Sequence, residues 1–287
     1  MKENDLKELV RFVLLRQNKD GGYGFAPKYC GLEFPSAVSD TFYALAVLDA
    51  LNQDFLERER TLSYLHGIQS VNGTYDNIAV AFYAVKALEI LEERPARMEF
   101  TAQLREALEK TKWHGGESFS SDYDASSSPL KYQYYAAKAL RICDFALKME
   151  HGSWVLSPNK DGGFGKGNSD ITTTYHALQI LSLTGHQIGD FQSTAEFVKR
   201  CAWVNGGFCA VPNSTPAYLE STYFGIMCCK LLGIPLDKWH EETTLEYIEN
   251  MQNLGGGFRR SPFMGISTLN NSYLAVKSLE ELGALLG

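Results

Sequence analysis

The chain has 287 residues, of which 45% are hydrophobic and 21% are charged, as expected for a globular protein with a full core. Its formal net charge of −7 argues against a nucleic-acid surface, which would need clustered lysine and arginine. It has no run of about 18 apolar residues, so we expect no membrane-spanning segment. The six cysteines include no CxxC pair, which favours a reduced, cytoplasmic protein with buried thiols.

A glycine-rich turn closed by an aromatic residue recurs along the chain, first as QNKDGGYGF and later as PNKDGGFG, VNGGF and NLGGGF. Its closing aromatic residues follow one another at intervals of 44 to 52 residues and are Tyr23, Tyr75, Phe119, Phe164, Phe208 and Phe258. A turn that returns at this spacing indicates a protein built from repeats. We expect glycine to supply positive φ at each reversal, and Asp20 and Asp161 to cap local N–H groups.

A tyrosine enters an apolar run after each turn. These residues are Tyr43, Tyr83, Tyr135, Tyr175, Tyr223 and Tyr273, and the apolar spacing that follows them predicts α-helices. Helix starts are predicted at Ser39 or Asp40 for the first and at Asn270 or Asn271 for the last. In the last three repeats a glycine follows the tyrosine by ten residues and predicts a left-handed helix end at Gly185, Gly233 and Gly283.

A second helical pattern precedes the turns at 5–17, 57–69, 101–113, 193–203 and 241–252. These segments have a charged face and an apolar face, so one side of each helix should meet water. Segment 141–157, before Phe164, is less regular. The tyrosine helices are apolar or small around most of their circumference and should be covered on nearly all sides. Six such hairpins predict an α6/α6 toroid, a double ring with the tyrosine helices inside, in a single domain of residues 1–287.

The turn Gln-x-x-Asp-Gly-Gly-aromatic, followed by a helix with an aromatic residue near its start, resembles the prenyltransferase and squalene-cyclase repeat. QNKDGGYGF and MQNLGGGF carry the resemblance best, and it extends from Gln17 to about Gly283. The resemblance implies a toroid whose aromatic central cavity holds an isoprenoid. In length the chain is similar to the β subunits of protein prenyltransferases, which work with a helical α subunit, so the resemblance also implies a partner of that type.

The β subunits bind a catalytic zinc through an Asp-x-Cys-Tyr segment and a histidine on the next inner helix. The matching positions here are Glu220-Ser221-Thr222-Tyr223 and Asn270, which lack the thiolate and imidazole ligands that zinc favours. We therefore predict no zinc, and Mg²⁺ only together with a bound diphosphate. His176 is interpreted as a packed or capping residue. SDYDASS (121–127), the nearest string to the acid motif of class II terpene cyclases, is interpreted as a solvated loop.

The six tyrosines are candidate binding residues for an alkyl or polyene chain, and their ring faces could steady an allylic cation; the alternative is that they pack between helices. Lys86, Lys138, Arg259 and Arg260 are candidate diphosphate contacts, with surface solvation, or snorkelling of the lysines, as the alternative. Asp40 and Glu220 are the candidate acid or base residues, with helix N-capping as the alternative.

Two functions stay open at this point. The first is an enzyme of the prenyltransferase/terpenoid-cyclase group that handles an isoprenoid diphosphate or similar lipid without the usual zinc. The second is a non-catalytic toroid that binds an isoprenoid, another lipid or a partner. The missing zinc ligands favour the second, whereas the aromatic residues and cations suit both.

Overall fold

The computed structural model describes residues 1–27, 34–110, 128–155, 157–189 and 191–286, without the side chains of Lys110 and Trp239. The turn expected at Phe119 and the loop expected at 121–127 lie outside these ranges. None of the helices in the described ranges is long and apolar enough to cross a membrane.

Two sets of α-helices alternate along the described residues and are numbered in chain order. The tyrosine helices are α2 (Val38–Ala50), α4 (Ile78–Ile90), α6 (Lys131–Ile142), α7 (Ile171–Leu183), α9 (Leu219–Leu232) and α11 (Leu269–Glu281). The pre-turn helices are α1 (Glu3–Leu14), α3 (Arg58–Gly67), α5 (Phe100–Lys110), α8 (Gln192–Cys201) and α10 (Lys238–Glu249). Strand β1 (Tyr23–Gly24) pairs antiparallel with β2 (Ser36–Ala37). Before Phe164 the pre-turn helix is replaced by two single 3-10 turns, Met149–His151 and Ser153–Val155.

The two helix sets differ in burial as their composition predicts. Helix α7 buries six consecutive residues, from Thr173 to Leu178, so it is covered around its whole circumference. Helix α1 buries only Leu9, Phe12 and Val13, which lie on one face. The expectation of one covered set and one set that meets water is therefore confirmed for these helices.

The tyrosine helices begin earlier than the sequence predicts. Helix α2 has Ala37 at its N-cap, and α11 has Thr268, whose hydroxyl accepts the N–H of Asn271 at 3.0 Å. The predicted starts at Ser39 or Asp40 and at Asn270 or Asn271 are therefore wrong, because all four residues lie inside the first helical turn. The helix ends are confirmed, since a residue with positive φ follows every tyrosine helix: Asn52, Glu92, Asp144, Gly185, Gly233 and Gly283.

The glycine turns have the predicted construction. Gly162 has φ +91°, and a Cβ there would lie 2.1 Å from the carbonyl oxygen of Ser193, so only glycine fits. The carboxylate of Asp161 accepts the N–H of Gly163 at 3.1 Å. Asp20 accepts the equivalent N–H in the first turn at 3.0 Å. Both aspartates cap local backbone, as expected.

The described residues fall into two compact units, one of Met1–Phe100 with Trp239–Gly287 and one of Thr101–Lys238. In the second unit, α7 packs against both α6 and α9. In the first unit, α2 packs against both α4 and α11, so the first repeat contacts the last one as well as the second.

Glutamine side chains show that the first and last repeats join as sequential repeats do. Gln17 follows α1 and donates from Nε2 to the carbonyl of Leu56, at the start of the next repeat, at 3.2 Å. Gln252 follows α10 and donates in the same way to the carbonyl of Asp5 at 2.9 Å. The sixth glycine turn is therefore tied to the first helix of the chain.

Candidate functional site

Hydroxyl side chains fix the register between a glycine turn and the helix that follows. Each accepts the N–H of the aromatic residue that closes the turn; the pairs are Tyr23 to Thr41 (3.0 Å), Phe164 to Thr174 (3.0 Å), Phe208 to Thr222 (3.1 Å) and Phe258 to Ser272 (3.1 Å). In α7, α9 and α11 the residue after the hydroxyl is the predicted tyrosine. In α2 it is Phe42, and Tyr43 follows one position later.

The residues with positive φ that follow the tyrosine helices align the six helices in the same register. The residues ten positions before them form a set that we call column A: Phe42, Phe82, Tyr134, Tyr175, Tyr223 and Tyr273. The next residues form column B: Tyr43, Tyr83, Tyr135, His176, Phe224 and Leu274. The predicted tyrosines thus belong to column B in the first three helices and to column A in the last three. The expectation of a single tyrosine register is wrong, and the position that is aromatic in all six helices is column A.

The first unit holds one aromatic cluster, which we call the Phe42 cluster (Phe42, Tyr43, Phe82, Tyr83 and Tyr273). The ring centroid of Phe42 lies 5.2 Å from that of Tyr273 and 6.5 Å from that of Phe82, so three column A rings touch in sequence. The hydroxyls of Tyr43 and Tyr83 are 2.8 Å apart and hydrogen-bonded. Nζ of the half-buried Lys86 lies 5.2 Å from the Phe42 centroid, within cation–π range.

The second unit holds the His176 cluster (Tyr134, Tyr175, His176, Tyr223 and Phe224). Column A again forms a row, because the Tyr175 centroid lies 5.7 Å from that of Tyr134 and 6.1 Å from that of Tyr223. The hydroxyls of Tyr134 and Tyr175 are 3.4 Å apart. The His176 ring stacks on Tyr134 at 5.0 Å with an interplanar angle of 22°.

His176 is packed in the core, as expected, and its pKa departs strongly from the ordinary value of histidine. Its side chain is 3% exposed, and burial, together with the charge of nearby Lys131, lowers its pKa to about 3. The imidazole is therefore neutral at physiological pH. Lys131 opens α6, and its Nζ lies 5.9 Å from the Tyr135 ring. The sequence offered no sign that His176 would align with Tyr43, Tyr83 and Tyr135 in column B.

Asp40 interacts electrostatically with a buried arginine, Arg16, that sequence reasoning missed. Arg16 is 8% exposed, its guanidinium lies 3.5 Å from the Phe12 centroid, and one of its nitrogens donates to the Phe12 carbonyl at 2.7 Å. Burial raises the pKa of Asp40 to about 6, although the charge of Arg16 opposes the shift. Ala37 occupies the N-cap of α2, and Asp40 lies in the first helical turn, where a carboxylate still interacts favourably with the helix N-terminus.

The remaining predicted residues are spread over both units. Glu220 is half-buried at the second position of α9, and Lys138 is half-buried on α6. A guanidinium nitrogen of Arg259 donates to the carbonyl of Asn250, just after α10, at 3.2 Å, and Arg260 is exposed. Of the predicted cations, Lys86 lies over an aromatic ring, that of Phe42.

The side chains do not fit the zinc site of the β subunits. Thr222 stands where those subunits have cysteine, and its hydroxyl is already the acceptor for the N–H of Phe208. Neighbouring Ser221 donates to the carbonyl of Phe208 at 2.6 Å, so both alcohols hold the glycine turn. The described ranges contain no group of three His, Cys, Asp or Glu side chains that could bind a metal.

Known proteins share this fold. A family model described as the prenyltransferase alpha-alpha toroid domain matches residues 1–79, 75–217 and 217–286. A search of curated protein sequences gives no match. Among solved structures, the chain is similar to protein geranylgeranyltransferase-I of Candida albicans complexed with GGPP, with a TM-score of 0.66 and 17% identity over 96% of this chain and 90% of that chain.

Two further structures extend the likeness. A variant of the type II terpene cyclase MstE from Scytonema, in complex with geranylgeranyl dihydroxybenzoate, gives a TM-score of 0.61 and 15% identity over 99% of this chain and 97% of that chain. A protein described as a glycosidase gives 0.59 and 12% over 99% and 100%. At such identities the similarity establishes a common fold. It does not indicate a common substrate. With the family model matched along its length, the chain belongs to the prenyltransferase alpha-alpha toroid family and has the all-α toroid fold that its repeats predict.

Proposed function

We propose that the protein binds an isoprenoid diphosphate or a similar lipid through the aromatic rings of column A. The observation that carries the proposal is that this position is aromatic in all six tyrosine helices and that three of its rings touch in sequence in each unit. A row of aromatic rings suits an unsaturated hydrocarbon chain, because aromatic side chains offer a large apolar area. Two structural neighbours contain geranylgeranyl compounds, which supports this ligand class.

The same rings suit the chemistry of prenyl transfer or terpenoid cyclisation. Both reactions develop positive charge on an allylic or tertiary carbon, and the negative face of an aromatic ring stabilises such a cation. We propose Asp40 as the acid or base, since a group with a pKa near 6 can exchange a proton near neutral pH. Glu220 is the second carboxylate proposed for this role.

We propose that cations next to the clusters hold the diphosphate. Lys86 is the first choice, because it combines a charge with contact to Phe42. Lys138, Arg259 and Arg260 are proposed as further contacts, and Mg²⁺ would enter only together with a diphosphate. A helical partner subunit and a cytoplasmic location complete the proposal, and we propose that the protein acts without the zinc of the usual β subunit.

Binding without turnover is the second candidate function. It is favoured by the engagement of Thr222 in the glycine turn, because the family's thiolate ligand has no counterpart there. The glycosidase that shares the fold also shows that the toroid alone does not set the chemistry. Release of pyrophosphate from geranylgeranyl diphosphate separates the two candidates, since a carrier binds the compound and leaves it intact.

The test is calorimetric titration of the purified protein with geranylgeranyl diphosphate. Phe42→Leu and Tyr175→Leu test the two clusters separately, and the variant in the cluster that binds the chain should weaken binding roughly 2- to 10-fold, as expected for the loss of one ring contact. Phe263→Leu is the control, because this residue is 73% exposed and outside both clusters. Equal affinity in all four proteins, or no binding by the wild type, would refute the proposal. Asp40→Asn should retain binding and lose any pyrophosphate release.

A further inference from the structure

The buried imidazole of His176 has a nitrogen, Nδ1, that finds no hydrogen-bond partner among the described residues. Nδ1 is shielded from solvent and has no hydrogen bond, while the ring is surrounded by Tyr134, Tyr175 and Phe224 at centroid distances of 5.0, 5.6 and 5.7 Å. A neutral imidazole carries one N–H donor and one lone-pair acceptor in either tautomer. Buried groups of this kind are nearly always paired, and leaving one unpaired is costly.

The fold does not require histidine at this position. Other members of column B are phenylalanine, at Phe224, and leucine, at Leu274. An apolar ring at 176 would keep the stacking on Tyr134 and remove the unpaired nitrogen. A residue that costs stability where an apolar one would fit is expected at a functional site.

The surroundings of His176 favour an uncharged hydrogen-bond partner for its ring. Burial and the charge of Lys131 keep the imidazole unprotonated, as the pKa of about 3 indicates. An uncharged imidazole adds no positive charge with which to hold a phosphate. It can pair with a hydroxyl, which offers both a donor and an acceptor and so suits either tautomer.

We propose that His176 is a specificity-determining residue that hydrogen-bonds a hydroxyl group of the ligand, so that the His176 cluster takes a hydroxylated isoprenoid, a prenyl alcohol. The inference rests on the proposed function, because the hydrocarbon chain must lie on the rings of the cluster to bring the hydroxyl to the imidazole. In this arrangement the aromatic rings contact the hydrocarbon chain of the ligand, and His176 binds its hydroxyl group.

The experiment compares geranylgeraniol with its deoxy counterpart, the hydrocarbon of the same chain. Wild-type protein should bind the alcohol about 5- to 10-fold more tightly, the effect of one net hydrogen bond. In His176→Phe this preference should fall below about 2-fold while the hydrocarbon binds as before. His186→Phe is the matched control, since the Nδ1 of His186 already pairs with Thr184 at 2.9 Å. A preference retained in His176→Phe would overturn the inference and leave the proposed function standing. Failure of wild type to bind either compound would also overturn the inference, whereas the proposed function is decided by the titration with geranylgeranyl diphosphate.

A second readout covers the case in which His176→Phe does not fold. The side-chain nitrogen resonances of His176 in wild-type protein report its tautomer and its hydrogen bonding. Addition of geranylgeraniol should shift them, and the hydrocarbon should not. Binding of the alcohol without a shift of these resonances would overturn the inference.

Discussion

Replacing Thr174 with valine should detach a glycine turn from helix α7. The hydroxyl of Thr174 is fully buried, accepts the N–H of Phe164 at 3.0 Å and donates to the carbonyl of Asp170 at 2.7 Å. That carbonyl keeps its helical bond from the Thr174 N–H, so it stays paired in the variant. Within the described ranges the N–H of Phe164 has no such second partner, and leaving it buried and unpaired should cost about 1–3 kcal/mol of the free energy of unfolding.

Urea unfolding measures the total loss, and hydrogen exchange of the Phe164 amide measures it locally. Thr172→Val is the matched control, because it makes the same change two residues away on a half-exposed side chain and should cost less than about 0.5 kcal/mol. If Thr174→Val loses no more than the control and the Phe164 amide stays protected, the hydroxyl does not hold the turn. The alignment of column A would then lose one of its two supports.

Three further predictions concern single side chains. The pKa of Asp40 is about 6 in the folded protein and near 3.9 in the unfolded chain, because burial disfavours the charged carboxylate. The contribution of Asp40 to the free energy of unfolding is therefore fully present below pH 4 and is lost as the pH rises through 6. With allowance for solvent screening, the free energy of unfolding of wild type relative to Asp40→Asn should fall by about 1–2 kcal/mol from pH 4 to 7.5. Urea unfolding measures this difference, and an increase of the difference with pH would contradict the prediction. Gly225→Ala places a Cβ 2.2 Å from the ring of Phe208 and should lower the free energy of unfolding by about 1–3 kcal/mol, although alanine has the better helix propensity. A variant that is more stable than wild type in thermal melts would disprove the contact. Tyr43→Phe removes the 2.8 Å bond to Tyr83 and should cost about 0.5–1.5 kcal/mol, with a double-mutant cycle showing coupling; additivity would mean that the hydroxyls do not interact.

The sequence predicts the repeat architecture well because turns and helix ends depend on local chemistry. Gly185, Gly233 and Gly283 end their helices in the left-handed conformation, and Asp20 and Asp161 cap their turns, as their positions indicate. These features need only a few consecutive residues, so they are visible in the chain itself.

The register of the aromatic columns could not be predicted in the same way. Phe42 and Tyr43 are adjacent, and either one fits the same helical pattern of apolar residues. The distinction lies in Thr41, whose hydroxyl reaches the turn at Tyr23, a contact 18 residues apart. A hydroxyl residue directly before the aromatic position was the available signal, and it occurs in four of the six helices.

The candidate site also depends on contacts between distant segments. Arg16 lies in a charged stretch after α1, and the sequence gives no sign that its guanidinium lies over Phe12 or that its charge acts on Asp40. His176 reads as a lone histidine on an apolar helix, and its unpaired nitrogen becomes visible only when Tyr134 and Phe224 are placed around it.

The most direct measurement of where the ligand binds is photo-crosslinking with a geranylgeranyl diphosphate analogue that carries a benzophenone at the end of its chain. Labelled peptides, identified by mass spectrometry, should come from the helices that bear column A, and excess unlabelled geranylgeranyl diphosphate should suppress them. Label that is not suppressed, or that is confined to exposed apolar residues such as Phe263 and Met264, would contradict isoprenoid binding on the aromatic rings.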